Sequence, residues 1–238
     1  MQALFNKTIR EIALEAPATT RVFENFKIDY CCGGRRSIAD ACSAMGLDPA
    51  SLIDELDGVI NAPRADSDPE RLRPSKLIEY IIAKHHIFTA HELERLAPLM
   101  AKVALRHGAS HPELLELQDV LNALTLSLMP HMLKEENVLF PYIQELELAD
   151  ARGFSTPPPH FGTVQNPIRM MMAEHDVDGE RLRKMRQLTA DYTLPEGACP
   201  SFTALYAGLQ DLEGDLHRHI HLENNVLFPA AAELETHS

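Results

Sequence analysis

The sequence predicts an all-α protein, a four-helix bundle preceded by a small helical domain, and three observations carry that prediction. First, two near-copies of one segment occur, His131 to Pro141 (HMLKEENVLFP) and His219 to Pro229 (HIHLENNVLFP), which agree at seven of eleven positions. Second, each copy is preceded at similar distance by another histidine in a helical pattern, His86 45 residues before His131 and His175 44 residues before His219. Two helical hairpins repeated in this way close into a bundle with an approximate internal two-fold axis. Third, no Val/Ile/Thr alternation of strand type appears, Trp is absent and aromatics are only 6%, which suits a bundle packed by Leu, Ile and Met.

The small domain is read over residues 1–62. Lys7 to Leu14 are periodic, Thr19 to Phe26 follow Pro17, Ser37 caps a helix that runs through Met45 and stops at Gly46, and Asp48-Pro49 opens another through Ile60. The bend between the second and third holds Asp29 to Gly34, DYCCGG. A polar stretch with Pro63, Pro69 and Pro74 reads as a linker, residues 63–74, with few contacts to constrain it. The bundle, residues 75–238, has helices at about Ser75 to Arg106, Glu113 to Leu148, Val164 to Tyr192 and Pro200 to Leu234.

Stepping by three or four gives the buried stripes. They run through Ile78, Ile82, His86, Thr89, Leu93, Leu96 and Met100 in the first bundle helix. The second has Leu124, Leu128, His131, Glu135, Val138 and Tyr142; the third has Ile168, Met171, His175, Leu182 and Met185, with Gly179 leaving room. The fourth has Leu212, Leu216, His219, Glu223, Val226 and Ala230. His85, one position off, falls at the flank. His91, His107, His111, His160, His217, His221 and His237 lie off the stripes or in loops and read as solvated or capping groups, with His85 and His160 the candidates for an accessory role.

Residues four apart lie on one helix face about 6 Å apart along the axis, so His131 with Glu135, and His219 with Glu223, each close on a common centre. Four His and two Glu on buried faces need a partner, because an unpaired buried carboxylate is costly. A lone buried His is ordinarily a hydrogen-bonded core residue, and a single His-x-x-x-Glu is ordinarily a surface pair. Two copies in phase, each with a further His, are not accounted for that way. Nor does an acid–base pair of carboxylates give the four His a role. Six donors exceed what one tetrahedral zinc takes. If Glu135 and Glu223 both bridge, two metals each receive two imidazoles and two carboxylate oxygens. A solvent-derived oxo or hydroxo bridge makes five, and one position stays open to a small ligand. Imidazole with carboxylate suits iron, manganese or zinc, and the lack of thiolate argues against an iron–sulfur cluster in the bundle.

A net charge of -13 leaves no basic field for nucleic acid or for anionic lipid. The amino terminus lacks an apolar signal core, and no run reaches the roughly 18 apolar residues of a membrane span, so a cytoplasmic protein with reduced thiols is expected. Cys31 and Cys32 are expected at an exposed turn made by Gly33-Gly34, as a redox-active or transferring pair; the alternative is a small-residue turn that packs the short helices. Cys42 and Cys199 read as buried small residues.

The order His-x-x-x-Glu, with His predominating, differs from the Glu-x-x-His of ferritin-like proteins and resembles the hemerythrin-like family. It departs from the oxygen-carrying hemerythrins, which have five His with one Glu and one Asp, and so speaks against reversible oxygen carriage. With DYCCGGRRSIADAC at 29–42, EHD at Glu174 to Asp176, HMLKEE and HIHLENNVLFP, essentially the whole chain resembles the Repair of Iron Centres family. The resemblance implies a cytoplasmic protein with two iron ions, which helps restore iron–sulfur clusters damaged by nitric oxide or hydrogen peroxide. Its ligand pattern falls on His86, His131, Glu135, His175, His219 and Glu223, the six read from spacing. The implied partners are damaged iron–sulfur proteins and the small ligands nitric oxide or oxygen, and a homodimer stays open. Two rival functions use the same open metal positions: a module that binds, senses or scavenges nitric oxide or oxygen, and an enzyme that reduces nitric oxide. A pure gas carrier has no use for the thiol pair.

Overall fold

The structure, a computed structural model, describes residues 2–5, 7–31, 34–60, 68–157 and 159–237. Among these no strand forms, and the one β-bridge joins Thr8 to Ser37. The small unit comprises α1 (Gln2–Phe5), α2 (Ile9–Glu15), α3 (Thr19–Asn25), α4 (Ile38–Met45) and α5 (Pro49–Ile60). Local chemistry explains their limits. Thr8 caps α2 by accepting from the Glu11 amide at 3.1 Å, while the Glu11 carboxylate accepts from the Thr8 amide at 2.7 Å. Ser37 caps α4, as its position before Ile38 predicts, by accepting from the Asp40 amide at 3.1 Å. Gly46 ends α4 in the left-handed region with φ 66, and nothing crowds the Cβ it lacks. Gly46→Ala therefore meets backbone strain alone and should cost about 1 kcal/mol, read as a lowered denaturation midpoint with an unchanged slope.

Four long helices form the bundle. Helix α6 joins Pro74–Ile81, a π turn Ile82–His86 and Ile87–His107; α7 joins Glu113–Lys134, a π turn Glu135–Leu139 and Phe140–Arg152. Helix α8 is the uninterrupted Gln165–Leu188, and α9 joins Pro200–Leu222, a π turn Glu223–Leu227 and Phe228–His237. The π turns correct the helical stripes. In each, the amide after the turn reaches back five residues: Ile87 to Ile82, Phe140 to Glu135 and Phe228 to Glu223. A π turn inserts one residue and rotates what lies beyond by about a residue's worth of turn. Ile81 is accordingly buried in place of Ile82, Leu139 in place of Val138, and Leu227 and Ala231 in place of Val226 and Ala230. The slip is clearest in α9. In α8, which has no π turn, all five stripe positions are buried where the 3.6-residue period puts them.

The bundle buries two apolar clusters. One contains Leu93, Leu96, Leu121, Leu128, Leu182, Leu212 and Leu216; the other contains Ile78, Ile81, Leu139, Ile143, Met171, Leu227 and Phe228. Between them lies a polar layer holding the candidate donors. No described helix is long and apolar enough to cross a membrane.

The small unit is tied to the bundle rather than loosely tethered. Tyr30, 1% exposed, packs its ring edge-on to His221 at 5.4 Å and His217 at 6.2 Å. His217 Nδ1 lies 3.0 Å from Glu24, Arg183 donates to Asp29 at 3.0 Å, and Lys27 pairs with Asp191 at 2.6 Å. His217 and His221 are thus interface residues, contrary to the expectation of solvated groups. Their off-stripe positions on α9 face the small unit instead of water. Residues 63–67 of the expected linker lie outside the described residues. The remainder is ordered by contact: Pro69–Arg71 form a 3₁₀ turn, and Glu70 is buried against Arg218 at 2.5 Å.

Candidate metal centre

Each long helix delivers one imidazole to the polar layer, and α7 and α9 add a carboxylate each. Glu135 and Glu223 are the first residues of their π turns, and His86 is the last residue of its own. The wide turn lets the carboxylate project inward one helical turn after His131 or His219 while Pro141 and Pro229, which cannot donate to the α-helical ladder, follow. Asn137 accommodates the loosened ladder by donating its amide to the Leu133 carbonyl at 2.7 Å.

The six residues form two groups of four that share both carboxylates: His86, His219, Glu135 and Glu223, and His131, His175, Glu135 and Glu223. Within each group the donor atoms lie within 4.8 Å of one another. The carboxylate oxygens divide between the groups. Glu135 Oε2 is 3.5 Å from His86 Nε2, and its Oε1 is 3.3 Å from His131 Nε2. Glu223 Oε1 is 3.0 Å from His219 Nε2, and its Oε2 is 3.3 Å from His175 Nε2. The paired Nε2 atoms are 3.1 Å apart for His86 and His219 and 3.0 Å for His131 and His175. Two bonds of about 2.1 Å from one metal, meeting at a right angle, separate two nitrogens by about 3.0 Å.

The electrostatics also call for cations. Glu135 and Glu223 are both 0% exposed, and neither oxygen of Glu135 has a hydrogen-bond partner. Burial pushes the Glu135 carboxyl up, and repulsion from Glu223 adds to it. Burial also disfavours charge on Glu223, but His219, His175 and His86 hold its carboxyl well below the usual range. Metal ions would satisfy both carboxylates without a proton, so the donor set fits the pair of metals its sequence suggests.

Behind the imidazoles stand acceptors absent from the sequence reading. His86 Nδ1 donates to Glu136 at 2.7 Å, His131 Nδ1 to Glu174 at 2.7 Å and His175 Nδ1 to Asn224 at 2.9 Å. Lys134 pairs with the other oxygen of Glu174. Such bonds place the proton on Nδ1, leave the Nε2 lone pair facing the site and lock the ring. The available signal was adjacency: each acceptor directly neighbours one of the six in sequence. His85, expected at the flank, is buried. Its ring stacks on His219 with centroids 5.6 Å apart, and its Nδ1 lies 2.9 Å from Asp215. His160 is exposed and apart from the site.

Of the vicinal thiols only Cys31 is placed, since Cys32 and Gly33 lie outside the described residues. Cys31 is 7% exposed rather than displayed at a turn, and its thiol donates to Asp29 at 3.3 Å. It lines a cavity of about 160 Å3 between the small unit and the bundle, with Arg10, Arg35, Met172 and Asn224. Asn224 is the same residue that holds His175. Cys42 is buried as expected, whereas Cys199 is only half-buried, its Sγ 3.2 Å from His107 Nε2.

Comparison with known proteins agrees with this architecture. Residues 77–231 match the hemerythrin HHE cation binding domain, and residues 5–59 match the ScdA_N domain, described as of unknown function. The chain is similar to the iron-sulfur cluster repair protein YtfE of Yersinia pseudotuberculosis serotype IB (strain PB1/+), 35% identical over 226 residues, 95% of this chain and 96% of the relative. The same identity and coverage hold for YtfE of Yersinia pestis (strain Pestoides F). A hemerythrin-type domain behind a ScdA_N-type domain, with this similarity along nearly its full length, places the chain in the Repair of Iron Centres family of hemerythrin-like proteins.

Proposed function

We propose that this is a cytoplasmic di-iron protein that restores iron–sulfur clusters damaged by nitric oxide or peroxide, with iron donation as its contribution. The observation that carries the reading is the division of each buried carboxylate between two imidazole pairs. His86, His131, His175 and His219 would supply nitrogen ligands, and Glu135 and Glu223 would each bridge two irons alongside an oxo or hydroxo group. Bound iron supplies transferable metal and open positions for a small ligand such as nitric oxide. The protein's part is to keep Nε2 of His86, His131 and His175 unprotonated through their Nδ1 bonds, and to hold the two carboxylates between two apolar clusters. Damaged iron–sulfur proteins are the proposed clients, in line with the repair role that the relatives' names state.

The test is recovery of a nitric-oxide-damaged cluster enzyme by the iron-loaded protein beside its metal-free form. Recovery by the loaded form alone supports donation, and equal recovery by both sinks it. For the thiols, Cys31→Ala with Cys32→Ala should retain two irons per chain and the oxo-bridge absorption while recovery falls several-fold. The reason is a division of labour: all six metal donors lie in the bundle, and the thiols lie in the small unit. Full recovery by the double variant would leave these thiols a packing role.

A further inference from the structure

The repeat that builds the site does not extend to the groups behind the imidazoles. His86 on α6 and His175 on α8 are equivalent, and each donates Nδ1–H to the residue following a shared glutamate, Glu136 and Asn224 respectively. His131 on α7 and His219 on α9 are equivalent as well. His131 donates to Glu174, the residue preceding His175. The residue preceding His86 is His85, and it offers no carboxylate. Its ring lies flat against His219, 8° from parallel, and its Nδ1 is engaged by Asp215. Its Nε2 is buried without a partner, and so is Nδ1 of His219.

This difference bears on metal affinity. A neutral imidazole that gives its Nε2 lone pair to a metal carries its proton on Nδ1. At His131 that proton meets a carboxylate, which strengthens the donor and fixes its ring. At His219 the same proton is buried and unpaired, so binding a metal there carries an uncompensated desolvation cost. The charged Glu136 behind His86, against the neutral Asn224 behind His175, offsets part of the imbalance. Even so, a neutral acceptor still pairs its proton, and an absent acceptor does not.

We infer that the two half-sites hold iron unequally, the ion between His86 and His219 being the weakly held one that is given up first, because His85 stands where the other half has Glu174. The inference rests on the di-iron reading and specifies which iron is transferred. His85 and Glu174 are positioning residues that act through His219 and His131.

The experiment loads the full-length protein anaerobically with ferrous iron, counts the metal, and follows its capture by excess bipyridyl-type chelator. Loss of such outer partners ordinarily changes metal affinity by about 10–100-fold. Two phases of one iron each, separated by about that factor, are expected. Glu174→Gln, a conservative change at a partly exposed position, should accelerate the slow phase and leave the fast phase alone. His85→Glu, which places a carboxylate behind His219, should slow the fast phase until the two merge. Two irons leaving in a single phase from the unaltered protein would overturn the inference while leaving the di-iron reading intact. Acceleration of the fast phase by Glu174→Gln would overturn it too, and it decides the matter should His85→Glu fail to fold. Fewer than two irons bound after loading would remove the di-iron reading and the inference together.

Discussion

Glu135→Leu should empty both half-sites at once, yet yield a metal-free protein that melts higher than the metal-free parent. Both outcomes follow from one side chain. Each Glu135 oxygen faces a different imidazole pair, so a single truncation removes a donor from each metal. In the metal-free state the same carboxyl is fully buried, lacks hydrogen bonds and is repelled by Glu223. Burying a polar group without a hydrogen bond costs about 1–3 kcal/mol, so relieving that cost with a hydrocarbon of similar volume should raise stability by about that much, or about 2–4 °C per kcal/mol for a chain of this size. Iron per chain after reconstitution and the melting temperature of the chelator-treated forms measure the two effects. Retention of both irons would dismiss Glu135 as a bridge. His160→Ala is the control: that residue is exposed and apart from the six donors, and its loss should keep the iron count at two.

Tyr30→Ala is expected to be the most disruptive change outside the bundle. Its ring fills the junction, stacked 6.2 Å from Phe23 and set edge-on against His217 and His221. Removing a fully buried aromatic ring costs about 3–5 kcal/mol, and here the cavity opens between two units, so the loss should appear as separation of the two. Limited proteolysis of the small unit should speed up and the melting transition should broaden, while iron content stays at two because Tyr30 touches none of the six donors. A variant that melts within about 1 kcal/mol of the parent would refute this view of the junction. Residues 75–238 alone keep all six donors. Without the small unit they would expose the His217 and His221 face and, since Glu70 is absent, leave Arg218 unpaired, so the isolated bundle should bind iron at reduced stability.

How far the sequence anticipated the structure depends on what sets each feature. The four donor-bearing helices were legible because His-x-x-x-Glu and the preceding histidines repeat with a helical period, and periodicity is a local property. Ser37 and Gly46 were legible for the same reason, since a cap is chosen by its neighbours. The π turns were not, because a 3.6-residue count has no place for an inserted residue. The slip from Val226 and Ala230 to Leu227 and Ala231 follows from that omission alone. The prolines ending each copy, Pro141 and Pro229, carried a hint that the ladder is interrupted there. His217 and His221 escaped because their burial comes from Tyr30, nearly two hundred residues away in sequence, and single-sequence patterning cannot report a surface that another unit covers. The glycines after Cys31 predict an exposed turn, yet the thiol is buried beside that same junction.

The polar layer is bounded along the bundle by hydrocarbon on both sides, Leu128 and Leu216 toward one end and Leu139 and Leu227 toward the other. A hydrated ion moving lengthwise would have to shed its water into a medium that offers nothing in return. Traffic to and from the layer is thereby confined to the seams between neighbouring helices. Cargo exchange then becomes a matter of sideways parting, with a rate that tracks how easily two helices separate rather than how wide any axial channel is.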